Sequence, residues 1–355
     1  MPLNAPRARP LLLLAASLSA CALPAGCARP AGPLFEPASP ALAWPPPPDT
    51  PRIYWIGQFA GSADLKAGQS FGQRLNAALF GREPQEVFIA PMAVCTDGAD
   101  RVFVADAGAR LVHVLDLRTR RYEQWRPPPG ELPLVQPVAL AWAPPGRLLV
   151  SDAVGRAIAV FGPAGEFRGH LGIAGMFVRP CGIAVDPPRQ RILVADPGAH
   201  QIVVLAPDGS LIQRVGERGP EPGQFNFPTF VAASGDGHIF VSDSLNFRVQ
   251  VLAPDLSPLR TIGQKGDMPG YFSQPKGLAV SPAGHLLVID ANFEAVQVFT
   301  ADGDLLMTFG REGKGPGEFW LPAGIFAAPD NRVWIADNYN KRLQVFEYRH
   351  TEGPP

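Results

Sequence analysis

Six aspartates recur at nearly constant spacing along the chain, and each one ends a short apolar run. The intervals between them are 46, 44, 47, 47 and 47 residues, and a proline precedes each aspartate by 15 or 16 residues. Six carboxylates gathered by a repeating fold could bind a cation or act as general acids and bases. The aspartates are Asp106, Asp152, Asp196, Asp243, Asp290 and Asp337, and the prolines are Pro91, Pro137, Pro180, Pro228, Pro275 and Pro322.

The regularity of these aspartates favours a structural role. A residue type found at one position of every unit serves the structure that all units share, whereas a site needs residues that differ between units. A carboxylate at a strand end can accept backbone N–H bonds from the following turn. An arginine follows four of the aspartates, and an exposed pair of this kind contributes about 0–1 kcal/mol. Some of these pairs could form, namely Asp106–Arg110, Asp152–Arg156, Asp243–Arg248 or Asp337–Arg342.

The histidines and cysteines form no metal-ligand or nucleophile motif. The 6 histidines lack the spacing of zinc sites. His113 occupies a position where later units have glutamine, namely Gln250, Gln297 and Gln344. Cys95 and Cys181 belong to units that are not neighbours, so we expect no disulfide between them. No cofactor is predicted, and a Ca²⁺ or Zn²⁺ ion in a central channel is left open.

Each unit contains four short apolar or alternating runs, separated by Gly, Pro, Asp and Asn. In the fifth unit these runs are residues 275–280, 285–290, 295–299 and 305–310. The runs are rich in β-branched residues and too short for helices. Four antiparallel strands in a unit of about 47 residues are typical of a propeller blade. The sequence therefore predicts an all-β fold, a six-bladed β-propeller.

Several runs of the repeat resemble a known family. Residues 182–186 read Gly-Ile-Ala-Val-Asp, residues 246–251 read Asn-Phe-Arg-Val-Gln-Val, and residues 313–319 read Gly-Lys-Gly-Pro-Gly-Glu-Phe. These motifs resemble the NHL-repeat family over residues 91–348, and units four to six fit best. The resemblance implies an NHL-type propeller that presents one face of its ring to a partner. Related six-bladed enzymes use a metal and a histidine cluster, which cannot be mapped onto this chain.

The last unit has only three strands of its own. Residues 52–57 resemble the fourth strands of other units, such as residues 260–263. We predict that this N-terminal strand completes the last blade, because closure removes an unpaired sheet edge.

An insert at residues 62–89 separates this strand from the first unit. Phe71, Leu75, Ala78 and Leu79 have the spacing of one helical face. This helical insert is expected either to cover an apolar patch of the ring or to dock a partner.

The N-terminus has the layout of an export signal. Residues 1–20 carry two arginines and a short leucine-rich run, as in a secretory signal peptide. The run ends in Leu-Ser-Ala before Cys21 and resembles a bacterial lipobox, with Cys27 as the alternative lipidated residue. Residues 21–51 are proline-rich and predict a semi-stiff tether. The resemblance implies a protein anchored by membrane lipid on the exported, periplasmic side of a bacterium, on the outer membrane where there is one.

The charge composition limits the class of partner that the protein can bind. The net charge is −1, from 31 basic and 32 acidic residues, which argues against nucleic acid. The folded body is expected to span residues 52–348 as a monomer, followed by a tail at 349–355.

The loops after the aspartates and the connectors before the prolines should share one end of the ring. Lys276 is the one charge among the six residues that directly follow the prolines, and Cys181 and Thr229 hold equivalent positions. Further ligand-face candidates are Asn226, Arg248, Asn292, Trp320, Asn340 and Arg342. We expect a binding or scaffold module that presents this face to a protein, peptide or glycan. The alternative is a metal-dependent hydrolase or lyase with its site at the central channel.

Overall fold

The computed structural model describes Met1 and residues 33–35, 40–65 and 86–349. In these residues 25 strands form six antiparallel sheets, the blades of a ring. The helical elements of this described part are three short 3-10 turns, at Ser62–Leu65, Pro187–Arg189 and Ser244–Asn246. None of its helices has the length and apolar character needed to cross a bilayer. The predicted six-bladed β-propeller is confirmed.

The strands follow one another blade by blade, except that the first two belong to the last blade. These are β1 (Ala43–Trp44) and β2 (Ile53–Phe59). Blade one contains β3 (Pro91–Thr96), β4 (Arg101–Asp106), β5 (Leu111–Asp116) and β6 (Arg121–Trp125). Blade two contains β7 (Pro137–Ala143), β8 (Arg147–Asp152), β9 (Ala157–Phe161) and β10 (Phe167–Leu171). Blade three contains β11 (Ile183–Asp186), β12 (Arg191–Asp196), β13 (Gln201–Leu205) and β14 (Leu211–Val215).

The remaining blades repeat this order. Blade four contains β15 (Pro228–Ala233), β16 (Ile239–Asp243), β17 (Arg248–Leu252) and β18 (Pro258–Ile262). Blade five contains β19 (Pro275–Val280), β20 (Leu286–Asp290), β21 (Ala295–Phe299) and β22 (Leu305–Phe309). Blade six contains β23 (Ile325–Ala327), β24 (Arg332–Asp337) and β25 (Arg342–Tyr348) together with β2 and β1.

The sequence pattern of each strand matches its depth in the blade. The middle strands β20 and β21 are buried at every position, because neighbouring blades cover both faces, and they read as continuous apolar runs. The outermost strand β22 alternates between exposed and partly buried positions. The first strands of successive blades contact one another and line the centre of the ring.

The N-terminal strand closes the ring as predicted. Strand β2 pairs antiparallel with β25, from Ile53 opposite Tyr348 to Phe59 opposite Leu343. The strand β1 then adds a fifth strand, with Trp44 opposite Ile53. The edge that an incomplete sixth blade would expose is therefore paired.

A segment that the sequence assigns to the tether packs on the sixth blade. We call residues 33–35 and 40–44 the strap. The Phe35 ring lies 5.7 Å from Phe59 and 6.1 Å from Trp334, and the Trp44 ring lies 6.0 Å from Phe309. The expected boundary at residue 52 is therefore too late, because part of residues 21–51 belongs to the folded body.

Several sequence predictions fall on parts of the chain that are not described. The 3-10 turn Ser62–Leu65 begins the insert, and Gly61 bridges Val87 at its end. The predicted helix around residues 71–79, the two candidate lipid-bearing cysteines and residues 350–355 lie outside the described residues.

The inner strands approach so closely that glycine is required at Gly277. A Cβ there would lie 2.5 Å from the carbonyl oxygen of Ala323 and 2.9 Å from Cα of Gly324. We expect Gly277→Ala to lower the free energy of unfolding by about 1–3 kcal/mol, because backbone atoms cannot yield as a side chain does. Denaturant titration measures this loss. The matched control is Gly235→Ala, whose added Cβ meets nothing within 4 Å. Equal midpoints for the two variants would contradict the close approach.

Candidate functional site

The six repeated aspartates connect two chain segments within each blade. All six are buried, at most 2% exposed. Asp106 accepts N–H bonds from Ile89 at 2.7 Å and Ala90 at 2.9 Å, in the connector before the first strand, and from Ala109 at 2.8 Å in the following turn. Equivalent bonds recur at Asp152, Asp196 and Asp290. The structural role is as predicted, and the bonds to the connector add to it.

Two of the four candidate arginine pairs form, and they are buried. Arg248 Nε lies 2.8 Å from Asp243 and Arg342 Nε lies 2.7 Å from Asp337, with the arginine side chains only 13% and 7% exposed. In the described part of the chain Arg110 and Arg156 make no such ion pair, and both are exposed. The expectation that some of the pairs form is met, but the expectation that they are exposed was wrong, because sequence spacing does not reveal burial.

Asp106 has a histidine as its side-chain partner. His113 Nε2 lies 3.2 Å from Asp106 Oδ2, and His113 Nδ1 lies 2.5 Å from the Tyr122 hydroxyl. Burial raises the pKa of Tyr122 to about 12, so the phenol keeps its proton and can donate it to the imidazole. Gln250 and Gln344 donate to their own aspartates from the equivalent position, both at 3.1 Å. His113 therefore supports the fold.

This network predicts a loss of stability in acid. Burial alone would raise the pKa of Asp106, but hydrogen bonds from His113 and from backbone N–H groups outweigh it and lower the pKa below 3.8. A carboxyl group with a depressed pKa in the fold stabilises it above the unfolded value, and this stabilisation is lost as pH falls through the folded pKa. We expect Tm to fall below about pH 4 and Asp106→Asn to lessen that fall. Circular-dichroism melts measure Tm against pH for wild type and for Asp106→Asn. An equal fall of Tm in the two proteins would contradict the assignment.

The described residues contain no cluster suited to metal or nucleophilic chemistry. Within them no group of three or more His, Cys, Asp or Glu side chains could hold a metal ion. Burial raises the pKa of Cys181 to about 11, and burial also raises the pKa of Cys95. Both thiols are free, and little thiolate is present at neutral pH. No observation here favours the metal-dependent hydrolase or lyase.

The mouth of the ring at the loop-rich end carries one charged group. Burial lowers the pKa of Lys276, with the charge of Asp290 opposing the shift. Thr229 Oγ1 lies 2.6 Å from Ser244 Oγ, and Ser244 donates to the carbonyl of Pro275 at 2.6 Å. Because the Ser244 proton is used, Thr229 must donate to Ser244. Of the Lys276, Thr229 and Ser244 side chains, only Lys276 has hydrogen-bond donors that no described residue accepts.

Each blade has two residues at equivalent positions of this loop-rich end, which we call its tip pair. One is two residues before the proline and the other is two residues after the aspartate. Tyr339 N–H donates to the Trp320 carbonyl at 3.2 Å, and Leu245 N–H donates to the Asn226 carbonyl at 3.0 Å. The pairs are Ile89–Gly108, Val135–Val154, Val178–Gly198, Asn226–Leu245, Ser273–Asn292 and Trp320–Tyr339.

The tip pairs concentrate exposed apolar surface at the loop-rich end. Six of their large apolar members are 39% to 56% exposed, and the seventh, Val135, is half-buried. The six are Ile89, Val154, Val178, Leu245, Trp320 and Tyr339. Of 15 exposed large apolar side chains among the described residues, ten lie in the turns and connectors of this end. The other five are Met1 and four on outer strands, Leu211, Ile212, Leu259 and Leu306. The hairpin loops of the opposite end, all described, contribute none.

The ligand-face candidates from the sequence divide into three groups. Lys276, Thr229 and Cys181 lie at the mouth, and Asn226, Asn292 and Trp320 belong to tip pairs. Arg248, Asn340 and Arg342 are engaged within the fold. Asn340 Nδ2 donates to Asp337 at 2.9 Å and to the Gly313 carbonyl at 2.8 Å. Arg342 Nη2 donates to the carbonyls of Gly315 and Glu318 at 2.8 and 2.7 Å.

Sequence comparison identifies the repeat. The fold defines a six-bladed β-propeller, and NHL repeats are present in it. The NHL repeat family matches residues 225–252 and 319–346, in blades four and six. A search of the curated proteins gives no match to this chain.

Solved structures of other proteins share the fold. Catalytically inactive virginiamycin B lyase from Staphylococcus aureus, solved with quinupristin, is 14% identical with a TM-score of 0.55, over 73% of this chain and 94% of that one. An auxiliary nutrient binding protein from Bacteroides thetaiotaomicron is 10% identical with a TM-score of 0.58, over 74% and 70%. A luciferin-regenerating enzyme is 16% identical with a TM-score of 0.54, over 75% and 92%. At these identities the similarity shows the fold alone.

Proposed function

We propose that this protein is an exported binding scaffold that engages a protein, peptide or glycan through its loop-rich end. The ring of tip pairs carries this proposal. Five of the six blades place at least one exposed large apolar side chain in the tip pair, whereas the hairpin loops of the opposite end expose none. Exposed apolar side chains concentrated on one face of a folded protein mark an interaction surface.

The chemistry of the face supports binding over catalysis. Its buried carboxylates accept backbone N–H bonds, its arginines at Asp243 and Asp337 are engaged, and burial raises the pKa of its thiol, Cys181. A similar fold occurs in a protein described as an auxiliary nutrient binding protein and in a lyase solved with quinupristin. This architecture therefore accommodates ligands, which is consistent with a binding role here by analogy.

We further propose that lipidation at Cys21, or at Cys27, holds the protein to a bacterial membrane on the exported side. Because the strap already packs on blade six from Leu34, the link from either cysteine is short. A fully extended chain covers about 3.4 Å per residue, which limits the link to roughly 40 Å from Cys21 and roughly 20 Å from Cys27. The propeller would then work close to the membrane surface.

The binding proposal is tested by charge substitution at the tip pairs. We expect the double variant Val154→Glu, Leu245→Glu to co-purify its partner from membranes about tenfold less than wild type does, because a carboxylate cannot be buried unpaired. The matched control is Leu259→Glu, Leu306→Glu on the outer strands, which have similar exposure. Quantitative mass spectrometry of the two eluates measures how much partner co-purifies with each variant. Equal losses, or no loss in either variant, would contradict a binding face at this end.

Membrane fractionation tests the anchor separately. We expect Cys21→Ala to release the protein to the soluble fraction, or Cys27→Ala to do so if that residue carries the lipid. Unchanged fractionation of both single variants and of the double variant would contradict lipidation and leave the binding proposal standing.

A further inference from the structure

Blade six differs from the other five blades at its tip pair. The equivalent pairs hold aliphatic residues or glycine in blades one to three, Asn226 with Leu245 in blade four, and Ser273 with Asn292 in blade five. Only blade six presents two aromatic rings, Trp320 and Tyr339. Because the repeat supplies five internal comparisons, the aromatic pair is a departure that the fold itself does not require.

The two rings form an exposed surface with free polar edges. Their centroids are 5.6 Å apart at an interplanar angle of 48°. Trp320 is 39% exposed and Tyr339 is 56% exposed. In the described part of the chain, neither the indole N–H of Trp320 nor the hydroxyl of Tyr339 has a hydrogen-bond partner. A ligand can therefore contact flat apolar faces and polar edge groups together.

The backbone beneath these rings is held before any ligand arrives. Trp320 N–H donates to the buried Asp337 carboxylate at 2.8 Å, and Tyr339 N–H donates to the Trp320 carbonyl at 3.2 Å. Asp337 is in turn fixed by Arg342 at 2.7 Å. Pre-organisation of this kind reduces the entropy lost on binding.

The charges around the pair favour an anion. Lys314 Nζ lies 4.9 Å from the centre of the Trp320 ring, and Lys341 is exposed two residues after Tyr339. Neither lysine forms an ion pair with any described residue. Glu318 shares this connector, but it is engaged by Arg311 at 2.8 Å and by Gly315 N–H at 2.9 Å. The nearby charged groups without an ion pair are the two ammonium groups and the carboxyl groups of Glu312 and Glu294. Glu312 is exposed, whereas Glu294 is half-buried, accepts the Leu321 N–H at 3.4 Å and has its pKa raised by burial. The exposed ammonium groups therefore outnumber the exposed carboxylates.

From these observations we infer that the tip pair of blade six is a stacking subsite for an acidic saccharide, a pyranose that carries a carboxylate. The apolar C–H face of the sugar ring packs on Tyr339 and Trp320, and the carboxylate meets Lys314 and Lys341. This inference rests on the proposed function and names the ligand class at one part of the same face.

The surroundings of the pair favour a saccharide over a peptide. A pyranose has one apolar face and hydroxyl groups at its rim, so it needs flat rings bordered by hydrogen-bonding groups. In the neighbouring blade the equivalent tip pair is polar, with Asn292 Nδ2 donating to Ser273 Oγ at 3.0 Å. The tip pairs of blades one to four are mostly aliphatic and offer no such border.

Calorimetric titration of the full chain with defined oligosaccharides tests this inference. The acidic probes are oligogalacturonate, oligoalginate and hyaluronan oligosaccharides, and maltohexaose is the neutral probe of comparable size. We expect at least one acidic probe to bind more tightly than maltohexaose, and added salt to weaken it. We expect Tyr339→Ala to weaken the affinity for the acidic probe about tenfold. This corresponds to a loss of about 1.4 kcal/mol of binding free energy from the missing ring. Lys314→Met with Lys341→Met should remove the preference for the acidic probe.

The matched control is Leu259→Ala, a half-exposed residue on the outer strand of blade four, which should leave saccharide affinity unchanged. All variants should melt like wild type, because the altered side chains are partly or fully exposed. Failure of all three acidic probes to bind more tightly than maltohexaose would overturn the inference, as would equal affinity of Tyr339→Ala and wild type.

The outcome also separates this inference from the proposed function. If partner capture depends on Val154 and Leu245 while no acidic saccharide binds, the binding face stands and the acidic-saccharide subsite is refuted.

Discussion

Replacing Asp337 by alanine is expected to lower the free energy of unfolding by about 3–5 kcal/mol, because it leaves the charge of Arg342 buried without its partner. Arg342 is 6% exposed and its Nε lies 2.7 Å from the carboxylate. The same carboxylate accepts bonds from Trp320 N–H and from Gln344 Nε2, at 2.8 and 3.1 Å. Denaturant titration followed by tryptophan fluorescence measures the change.

The control for this substitution is Asp304→Ala in an exposed hairpin at the opposite end. This control removes the same chemical group and should lower the free energy of unfolding by less than about 0.5 kcal/mol. Similar losses for the two variants would show that the buried pair at Asp337 does not support the fold as described.

The second large effect is expected at the closing strand β2. There Phe59→Ala should lower the free energy of unfolding by about 3–5 kcal/mol. Phe59 is 1% exposed, and its ring packs against those of Phe35 and Trp334, at 5.7 and 6.1 Å. Its removal leaves a cavity where the strap, the last blade and the first blade meet. Thermal and denaturant unfolding both report this loss.

Deletion of residues 52–60 tests closure more severely. It removes β2, so β25 becomes an unpaired edge and β1 loses its only sheet partner. We expect the cooperative transition of the whole ring to weaken or disappear. Unchanged melting of the deleted chain would show that the sixth blade does not need this strand.

The fold was predictable because its determinants are local and repeated. The interval of about 47 residues, the four short runs in each unit and the missing last strand all appear in the sequence. The strap was not predictable, because a proline-rich composition is typical of a spacer and its contacts depend on a few aromatic side chains. Phe35 and Trp44 find their partners on strands far away in sequence.

The site was less predictable than the fold. Arg248 and Arg342 look like surface residues because they follow a turn, but they donate into buried carboxylates. The members of each tip pair are 19 or 20 residues apart, and the sequence between them does not indicate that they lie close together. Trp320 was a candidate from the sequence, whereas its neighbour Tyr339 was missed. Comparing the units at positions two before the proline and two after the aspartate would have found both.

The repeat also explains why structural and functional residues can be separated here. Positions occupied alike in most blades, such as the buried aspartates, hold the connectors to the strands. Positions that share a place but differ in side chain, such as the tip pairs, are free to vary because they face outward. Variation at a fixed, exposed position allows one ring to present different chemistry from blade to blade.

Site-specific photo-cross-linking in the producing cell tests the binding face most directly. A photoreactive side chain is placed at Tyr339, at Val154 or, as the reference, at Leu306 on an outer strand with 36% exposure. If the loop-rich end is the binding face, Tyr339 and Val154 will give the same discrete adducts and Leu306 will give none. Adducts at Leu306 with none at the two tip positions would contradict the account.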